Sequence, residues 1–158
     1  MQNMAPRLLE SLARIAPLSR EAIDLFTDSA QVQVVKKGNS LLAEGQHCHH
    51  IWFIENGACR AFYSNGIKEI NTGFFFENTF VTNLKSLRNN EPSGYNIQAM
   101  EGGVVGRWQK EGLFQLYRQS PEIAAFGRQW LEQLLIAQET HTHWLKKNSP
   151  EERYLSVL

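Results

Sequence analysis

One carboxylate, Glu77, stands among four phenylalanines in the segment FFFENTF, which covers residues 74–80. Burying an unpaired carboxylate is costly, so Glu77 must find hydrogen-bond donors, point into water or contact a ligand. The phenylalanines themselves are ordinary core residues and need no ligand to explain them. Glu77 is therefore a candidate ligand-binding residue.

A second group, His47-Cys48-His49-His50, combines side chains that bind zinc, copper or iron. Adjacent residues of an extended chain point to opposite faces, so only pairs such as His47 and His49 converge. Two ligands do not complete a four-ligand zinc site. We interpret the group as a solvated loop before the strand IWFIE and predict no metal site. The two cysteines, Cys48 and Cys59, are too few for a four-cysteine iron–sulfur cluster.

Motifs of the common catalytic sites are absent from the sequence: it has no G-x-S-x-G elbow, no phosphate loop and no zinc-protease helix. No carboxylate pair shows a shared geometry that would support acid–base catalysis. The sequence therefore predicts a protein that is not an enzyme, with no catalytic residue.

Size and charge restrict the class of protein. A chain of 158 residues is long enough for one main domain. Sixteen basic residues balance sixteen acidic ones, so the chain lacks the positive field that duplex DNA binding requires. No apolar run approaches the roughly 20 residues that span a bilayer, and no secretory leader is recognisable. We expect a cytoplasmic protein with no membrane contact.

Helices and short strands must position these side chains. Residues 1–29 read as a helical lead-in, with Ser19 as the cap of a second helix. Residues 30–119 contain six or seven short strand candidates, then a helix near Lys110. The hairpin signals Asn56-Gly57 and Asn65-Gly66 separate some of these strands and predict an antiparallel β-sandwich or roll.

A long helix is predicted over residues 120–148, because Ser120 supplies a cap and Pro121 suits the first turn. Ile123, Phe126 and Trp130 form an apolar stripe that would pack on the roll. A second stripe would pair with a twin helix across a homodimer axis, and it comprises Leu131, Leu134, Leu135, Gln138, Thr142 and Leu145. One broad stripe that packs within a single domain is the alternative.

Residues 149–158 repeat a helix-start signal, with Ser149 as cap, Pro150 in the first turn and Glu152 completing a capping box. A helix of about nine residues is marginal by itself. We expect this segment to begin a hinge and a further domain beyond Leu158.

An ordered set of residues resembles the cyclic-nucleotide-binding sensor domain of the CRP/FNR family of bacterial transcription regulators. The set comprises Gly38, Glu44-Gly45, Gly57, Gly66 and Glu77, and the segment EPSGYNIQA follows it. The resemblance implies a mainly β jelly-roll, or double-stranded β-helix, with N-terminal helices and a long C-terminal dimerisation helix. It also implies a small-molecule effector and a helix-turn-helix domain, beyond Leu158, that binds operator DNA.

The resemblance further assigns ligand contacts. Glu77 matches the glutamate that contacts a ribose hydroxyl, and Ser93 and Gly94 stand where the family has a phosphate-binding arginine and a hydroxyl residue. Gln138 matches a base-contacting position, or else it fixes the register of a dimer. The implied ligand-binding set is Glu77, Asn78, Thr79, Ser93, Gly94 and Gln138.

A cyclic nucleotide is a doubtful ligand because Ser93 replaces that arginine. Loss of a charge-assisted phosphate contact forfeits about 1.5–3 kcal/mol, so we expect cyclic AMP and cyclic GMP to bind weakly or not at all. If Tyr95 faces inward, its ring fills part of the pocket. A cupin-like or haem- or metal-binding β-roll protein with a different small-molecule function is the alternative.

Overall fold

The computed structural model describes residues 6–147, and it describes side chains for residues 7–136. The helices in this range are α1 (Pro6–Ile15), α2 (Arg20–Asp28), α3 (Leu84–Asn89), α4 (Lys110–Gln119) and α5 (Pro121–Lys147). The strands are β1 (Gln31–Val35), β2 (Ser40–Leu42), β3 (His50–Asn56), β4 (Cys59–Ser64), β5 (Glu69–Phe75), β6 (Phe80–Val81), β7 (Asn96–Ala99) and β8 (Gly103–Gln109).

Two four-stranded antiparallel sheets form the β-roll, with strand orders β1-β8-β3-β6 and β2-β7-β4-β5. The turn at Gly66 joins the paired strands β4 and β5 and is the predicted hairpin. The turn at Gly57 leads from β3 in one sheet to β4 in the other, so the hairpin predicted at Asn56-Gly57 is wrong. Gly57 and Gly66 have φ of 105° and 89°, a left-handed conformation that costs glycine little. The predicted roll with N-terminal helices and a long C-terminal helix is thereby confirmed.

Helices α2 and α5 cover one sheet through a cluster of aromatic rings. The Phe26 ring of α2 stacks on Trp108 of β8, with ring centres 4.6 Å apart. The ring centre of Phe80 in β6 lies 6.2 Å from that of Phe126 and 5.7 Å from that of Trp130, and both of these residues are on α5. Because aromatic rings bury large apolar areas, this cluster fixes the first part of α5 against the roll.

The start of α5 follows the sequence prediction. The Ser120 hydroxyl accepts a hydrogen bond from the Ile123 N–H at 3.3 Å, which satisfies one of the free amides of the first turn. Ile123 and Phe126 are buried and Trp130 is half-buried. The Glu122 carboxylate accepts a hydrogen bond from the Ser19 N–H at 2.8 Å, so the beginnings of α2 and α5 are joined.

Strand β6 and helix α3 were not predicted. Two residues of strand and six of helix are too short to show a periodic pattern. Asn83 begins α3, since its side chain accepts a hydrogen bond from the Ser86 N–H, and Asn90 ends α3 in a left-handed conformation with φ of 53°. β7 begins at Asn96, and the chain before it forms an isolated bridge between Pro92 and His47 and then a bend.

Some predictions concern residues that lie outside this description. They are the side-chain roles of Gln138, Thr142 and Leu145, and the hinge proposed for residues 149–158. Within residues 6–147, no helix combines the length and the apolar character that a membrane span requires.

Candidate ligand-binding site

A cavity of about 850 Å³ lies between the segment 80–86, the loop 91–95 and helix α5. Small-molecule sites commonly have volumes of about 300–1,000 Å³. The walls are mainly apolar, and they include Phe75, Phe80, Val81, Leu84, Tyr95, Trp130, Leu131, Leu134 and Leu135. This cavity is the candidate ligand-binding site.

The polar centre of the site is the pair Asn83–Ser93. Asn83 lines the cavity, and its side-chain amide donates a hydrogen bond to the Ser93 hydroxyl at 2.9 Å. Ser93 donates in turn to the Tyr95 carbonyl at 2.6 Å. The network consists of amide, hydroxyl and carbonyl groups, so it carries no charge. Asn83 and Ser93 are both buried, and their hydrogen bond holds the loop 91–95 against the start of α3.

Ser86 extends the polar centre along α3. Its hydroxyl donates to the Glu91 carbonyl at 2.6 Å and accepts from the Cys48 N–H at 2.8 Å. The side chain is buried and lines the cavity. The polar wall of the cavity is thus a set of amide and hydroxyl groups that already hydrogen-bond to one another.

The charged side chains at the cavity are Lys85 and Glu91, among the described residues that line it. Their Nζ and Oε1 atoms are 3.5 Å apart, and the two side chains are exposed. An exposed pair of opposite charges largely cancels at a distance. The cavity therefore offers an anionic ligand little net attraction.

Glu77 lies outside this cavity. Its carboxylate accepts a hydrogen bond from the Gly57 N–H at 2.7 Å and lies 3.9 Å from Arg7 Nη1. The hydrogen bond from Gly57, helped by the backbone N–H of Glu77 itself, lowers the pKa of the carboxyl group. The Glu77 carboxylate is therefore satisfied by the turn between β3 and β4 and by partial exposure to water.

Asn78 and Thr79 form the bend that leads into β6. Asn78 adopts a left-handed conformation with φ of 70°, and its N–H donates to the Ile54 carbonyl at 3.0 Å. The Thr79 carbonyl accepts from the Ile54 N–H at the same distance. Like Glu77, these two residues are not among those that line the cavity.

The other predicted ligand-binding residues have different positions. Gly94 lines the cavity and Ser93 lies directly behind Asn83, whereas the side chain of Gln138 lies outside the described residues. The structure thus places Ser93 and Gly94 at the cavity and separates them from Glu77.

Sequence reasoning missed Asn83 and Ser86. Asparagine is a strong helix cap, and Asn83 followed by Leu84 and Leu87 is a capping signal for a short helix. That signal could have identified α3. Tyr95 does line the cavity, and burial raises the pKa of its phenol group.

The predicted dimer stripe of α5 contributes to this cavity. Leu131, Leu134 and Leu135 line it, although 38% of Leu134 and 64% of Leu135 are exposed. The same leucines therefore face both the cavity and the solvent. The described residues show this part of α5 packed at the cavity with solvent on its other side, and the pairing with a twin helix stays a prediction.

The described lining of this cavity contains no histidine, cysteine or methionine, whereas the phenol of Tyr95 is of a kind that can also ligate haem iron. The haem alternative stays a prediction. Across the described part of the chain, no group of three or more His, Cys, Asp or Glu side chains is arranged to hold a metal ion. His47 and His49 form a ring pair with centres 6.4 Å apart instead.

Comparison with known proteins gives the family. The sequence profile of the cyclic nucleotide-binding domain matches residues 32–120, more than half of the chain. Comparison with curated protein sequences gave no match.

Solved structures share the fold. A cyclic nucleotide-binding domain from Methylobacillus flagellatus KT has a TM-score of 0.76 at 18% identity, over 90% of this chain and 83% of that one. The sensor domain of the transcriptional regulator DNR from Pseudomonas aeruginosa has a TM-score of 0.64 at 14% identity, over 91% and 92%.

The catabolite activator protein of Thermus thermophilus has a TM-score of 0.69 at 18% identity, over 86% of this chain. This chain spans 63% of the length of that protein. The resemblance to the sensor domain of CRP/FNR regulators is thereby confirmed. The chain belongs to the cyclic nucleotide-binding domain family.

Proposed function

We propose that the chain is the effector-sensing and dimerisation part of a CRP/FNR-like transcription regulator. The observation that carries this proposal is that Leu131, Leu134 and Leu135 of α5 form one wall of the cavity. A molecule bound there contacts the roll and the helix together. Its different affinity for two helix arrangements shifts their populations, and the change reaches a helix-turn-helix domain on operator DNA in the full-length regulator.

We propose a binding role instead of a catalytic one, because the described walls are mainly apolar and their charged side chains are the exposed pair Lys85 and Glu91. We also propose a cytoplasmic location. Cys48 and Cys59 are free and buried, as suits a reducing compartment. Burial raises the pKa of the Cys59 thiol to about 11, which keeps the thiol protonated at neutral pH.

The proposed ligand is a largely apolar, uncharged molecule with one or two hydrogen-bonding groups. Apolar walls favour such a ligand, and the amide and hydroxyl groups of Asn83 and Ser86 would orient it. Gly94 and Tyr95 would contact it, and Gln138, one turn beyond Leu134, stays a predicted contact. Glu77, Asn78 and Thr79 take no part in this site.

A cyclic nucleotide suits the cavity poorly in this proposal. Its phosphate would meet the neutral Asn83–Ser93 pair, and the nearby Lys85 is already paired with Glu91. We expect calorimetric titration with cyclic AMP and cyclic GMP to detect weak binding or none. Submicromolar affinity for either would contradict this assignment.

Nile red, an uncharged apolar dye, tests the cavity directly by its fluorescence. We expect the dye to bind the wild-type protein. Leu134→Gln should weaken it about tenfold, because the loss of an apolar wall costs roughly 1.4 kcal/mol. Leu9→Gln is the matched control, since Leu9 is an exposed leucine of α1 that does not line the cavity.

Circular dichroism melting of each variant checks that the fold is intact. Equal dye affinity in the wild type and in Leu134→Gln would overturn the proposed ligand site.

A further inference from the structure

A second cavity, of about 440 Å³, is bounded by β1, β2, the loop 46–49, the start of β3, and β8. It shares no lining residue with the first cavity. Its volume lies within the usual range for small-molecule sites. The side chains at its wall have a different chemistry from those of the first cavity.

Nitrogen donors dominate this wall. Arg107, His47, His49 and His50 line it with two glutamines, and its described lining contains no carboxylate. Burial lowers the pKa of the His50 imidazole, and the charges of Arg107 and His49 add to that effect. The carboxylate of Glu111 on α4 raises the His50 pKa, but its effect is the smallest of the four. The cavity is thus a region of positive potential.

Arg107 is held in a fixed orientation. It lies opposite Gln31 on one side and Trp52 on the other in the β-sheet. Its Nε and Nη2 atoms both donate to Gln31 Oε1, at 3.0 and 2.8 Å. Within the described part of the chain, its Nη1 atom has no hydrogen-bond partner and no carboxylate pairs with it. The guanidinium group is therefore preorganised to bind an anion.

Gln33 lies at the same cavity and offers a hydrogen-bond acceptor, whereas Arg107 offers donors. Its Oε1 atom is fully buried at this cavity and has no hydrogen-bond partner among the described residues. A buried amide oxygen without a donor is unfavourable. A ligand that satisfies both Arg107 and Gln33 carries an anionic oxygen and a hydrogen-bond donor, and a hydroxyl group is one such donor.

We propose that this second cavity binds a small hydroxylated organic anion, of which a sugar phosphate and a sugar acid are the two sources. The anionic group contacts Arg107 and His50, and a hydroxyl group donates to Gln33. This site is independent of the ligand proposed for the first cavity.

Calorimetric titration of the whole chain with four probes tests the proposal. Glucose 6-phosphate or gluconate should bind more tightly than inorganic phosphate, and uncharged glucose should not bind. Binding of glucose 6-phosphate would identify a phosphate as the anionic group, and binding of gluconate would identify a carboxylate. If neither binds, or if inorganic phosphate binds as tightly as both, the proposal is wrong.

Variants locate the site. Arg107→Gln should weaken binding about tenfold or more, since it removes a charge-assisted hydrogen bond, and Gln33→Met should weaken it less. Arg118→Gln is the matched control, because Arg118 is an exposed residue of α4 outside both cavities.

Nuclear magnetic resonance of the wild-type protein gives a test that does not depend on a variant's folding. The anion that binds should shift the ring signals of His50, and Nile red should not. Unshifted His50 signals at saturation would overturn the proposal.

Discussion

Glu77 and Asn83 are both polar residues in apolar surroundings, and each is satisfied by groups distant in sequence. Glu77 accepts from Gly57, twenty residues earlier, and Asn83 donates to Ser93, ten residues later. The first contact fixes the turn between β3 and β4, and the second shapes the cavity. The partner, more than the residue type, therefore decides which polar residue belongs to the ligand site.

The hydrogen bonds to Glu77 make stability depend on pH. Its pKa in the folded protein lies below the ordinary value of 4.5. The stabilisation is therefore present above about pH 4.5 and is lost as pH falls through the folded-state pKa. We expect the free energy of unfolding of Glu77→Gln, measured in urea, to fall less than that of the wild type between about pH 6 and pH 3.

The difference between the wild-type and Glu77→Gln curves isolates this residue, because all other carboxyl groups contribute to both. Glu132→Gln is the control, since Glu132 is an exposed residue of α5. Parallel curves for the wild type and Glu77→Gln would contradict the expected linkage.

The turns at Gly57 and Gly66 were predictable because a positive φ is a local requirement that glycine meets with little cost. Only the turn at Gly66 closes a hairpin, because the pairing of the flanking strands depends on the rest of the sheet. Asn83 was not identified, because its role depends on Ser93 and on the loop that returns to α3. The aromatic segment and then the resemblance both directed attention to Glu77, which does not line the cavity. Local chemistry was thus readable from the sequence, and the contacts that close the cavity were not.

Among the helices, α4 and α5 pack closely at one glycine. A methyl group at Gly127 would lie 2.8 Å from the Tyr117 hydroxyl and 3.0 Å from its ring carbon Cζ. Tyr117 is half-buried and packs against the core. The glycine therefore permits the two helices to approach.

Gly127→Ala tests this packing. Alanine favours a helix interior over glycine by about 1 kcal/mol, but the clash with the buried ring should cost about 1–3 kcal/mol. We expect a net loss of stability in guanidinium unfolding. In a Tyr117→Leu background the clash is relieved, and the same substitution should become neutral or stabilising.

Gly112→Ala in α4 is the matched control, because nothing lies within 4 Å of its added methyl group. It should stabilise the protein by about 0.5–1 kcal/mol. A stabilising Gly127→Ala in the wild-type background would contradict the close-packing account.

Among the elements, Ser120-Pro121 predicted the start of α5 correctly. A cap residue and a first-turn proline are local signals of a helix start, because their effect depends only on the nearest residues. β6 has two residues and α3 has six, too few for a periodic signal. These two short elements carry Phe80 and Asn83, and the cavity was missed with them. Short elements around a site are the part of such a fold that periodicity reveals least.

At the scale of the whole molecule, α5 packs against the roll on one side and exposes apolar residues to solvent on the other. Leu135 and Ile136 are 64% and 62% exposed, and contiguous exposed apolar residues commonly mark an interface. In the proposed regulator, a second α5 covers this face and closes the cavity from outside. Ligand binding and dimerisation are then coupled through one set of leucines.

Analytical ultracentrifugation tests the dimer. We expect the wild-type chain to be dimeric at tens of micromolar. Leu135→Glu should weaken the dimer about a hundredfold or more, because it buries a charge at the interface. Leu9→Glu, an exposed leucine of α1, should have no effect. A wild-type monomer at these concentrations would contradict helix-mediated pairing.

The hydrogen bond between the Ser19 N–H and Glu122 fixes α5 at its base. From that pivot, a helix of 27 residues extends about 40 Å at 1.5 Å per residue. A tilt of about 10° would leave the aromatic cluster almost in place and carry the far end about 7 Å sideways. In the proposed regulator, a small adjustment around the cavity would therefore become a larger displacement at the far end of α5.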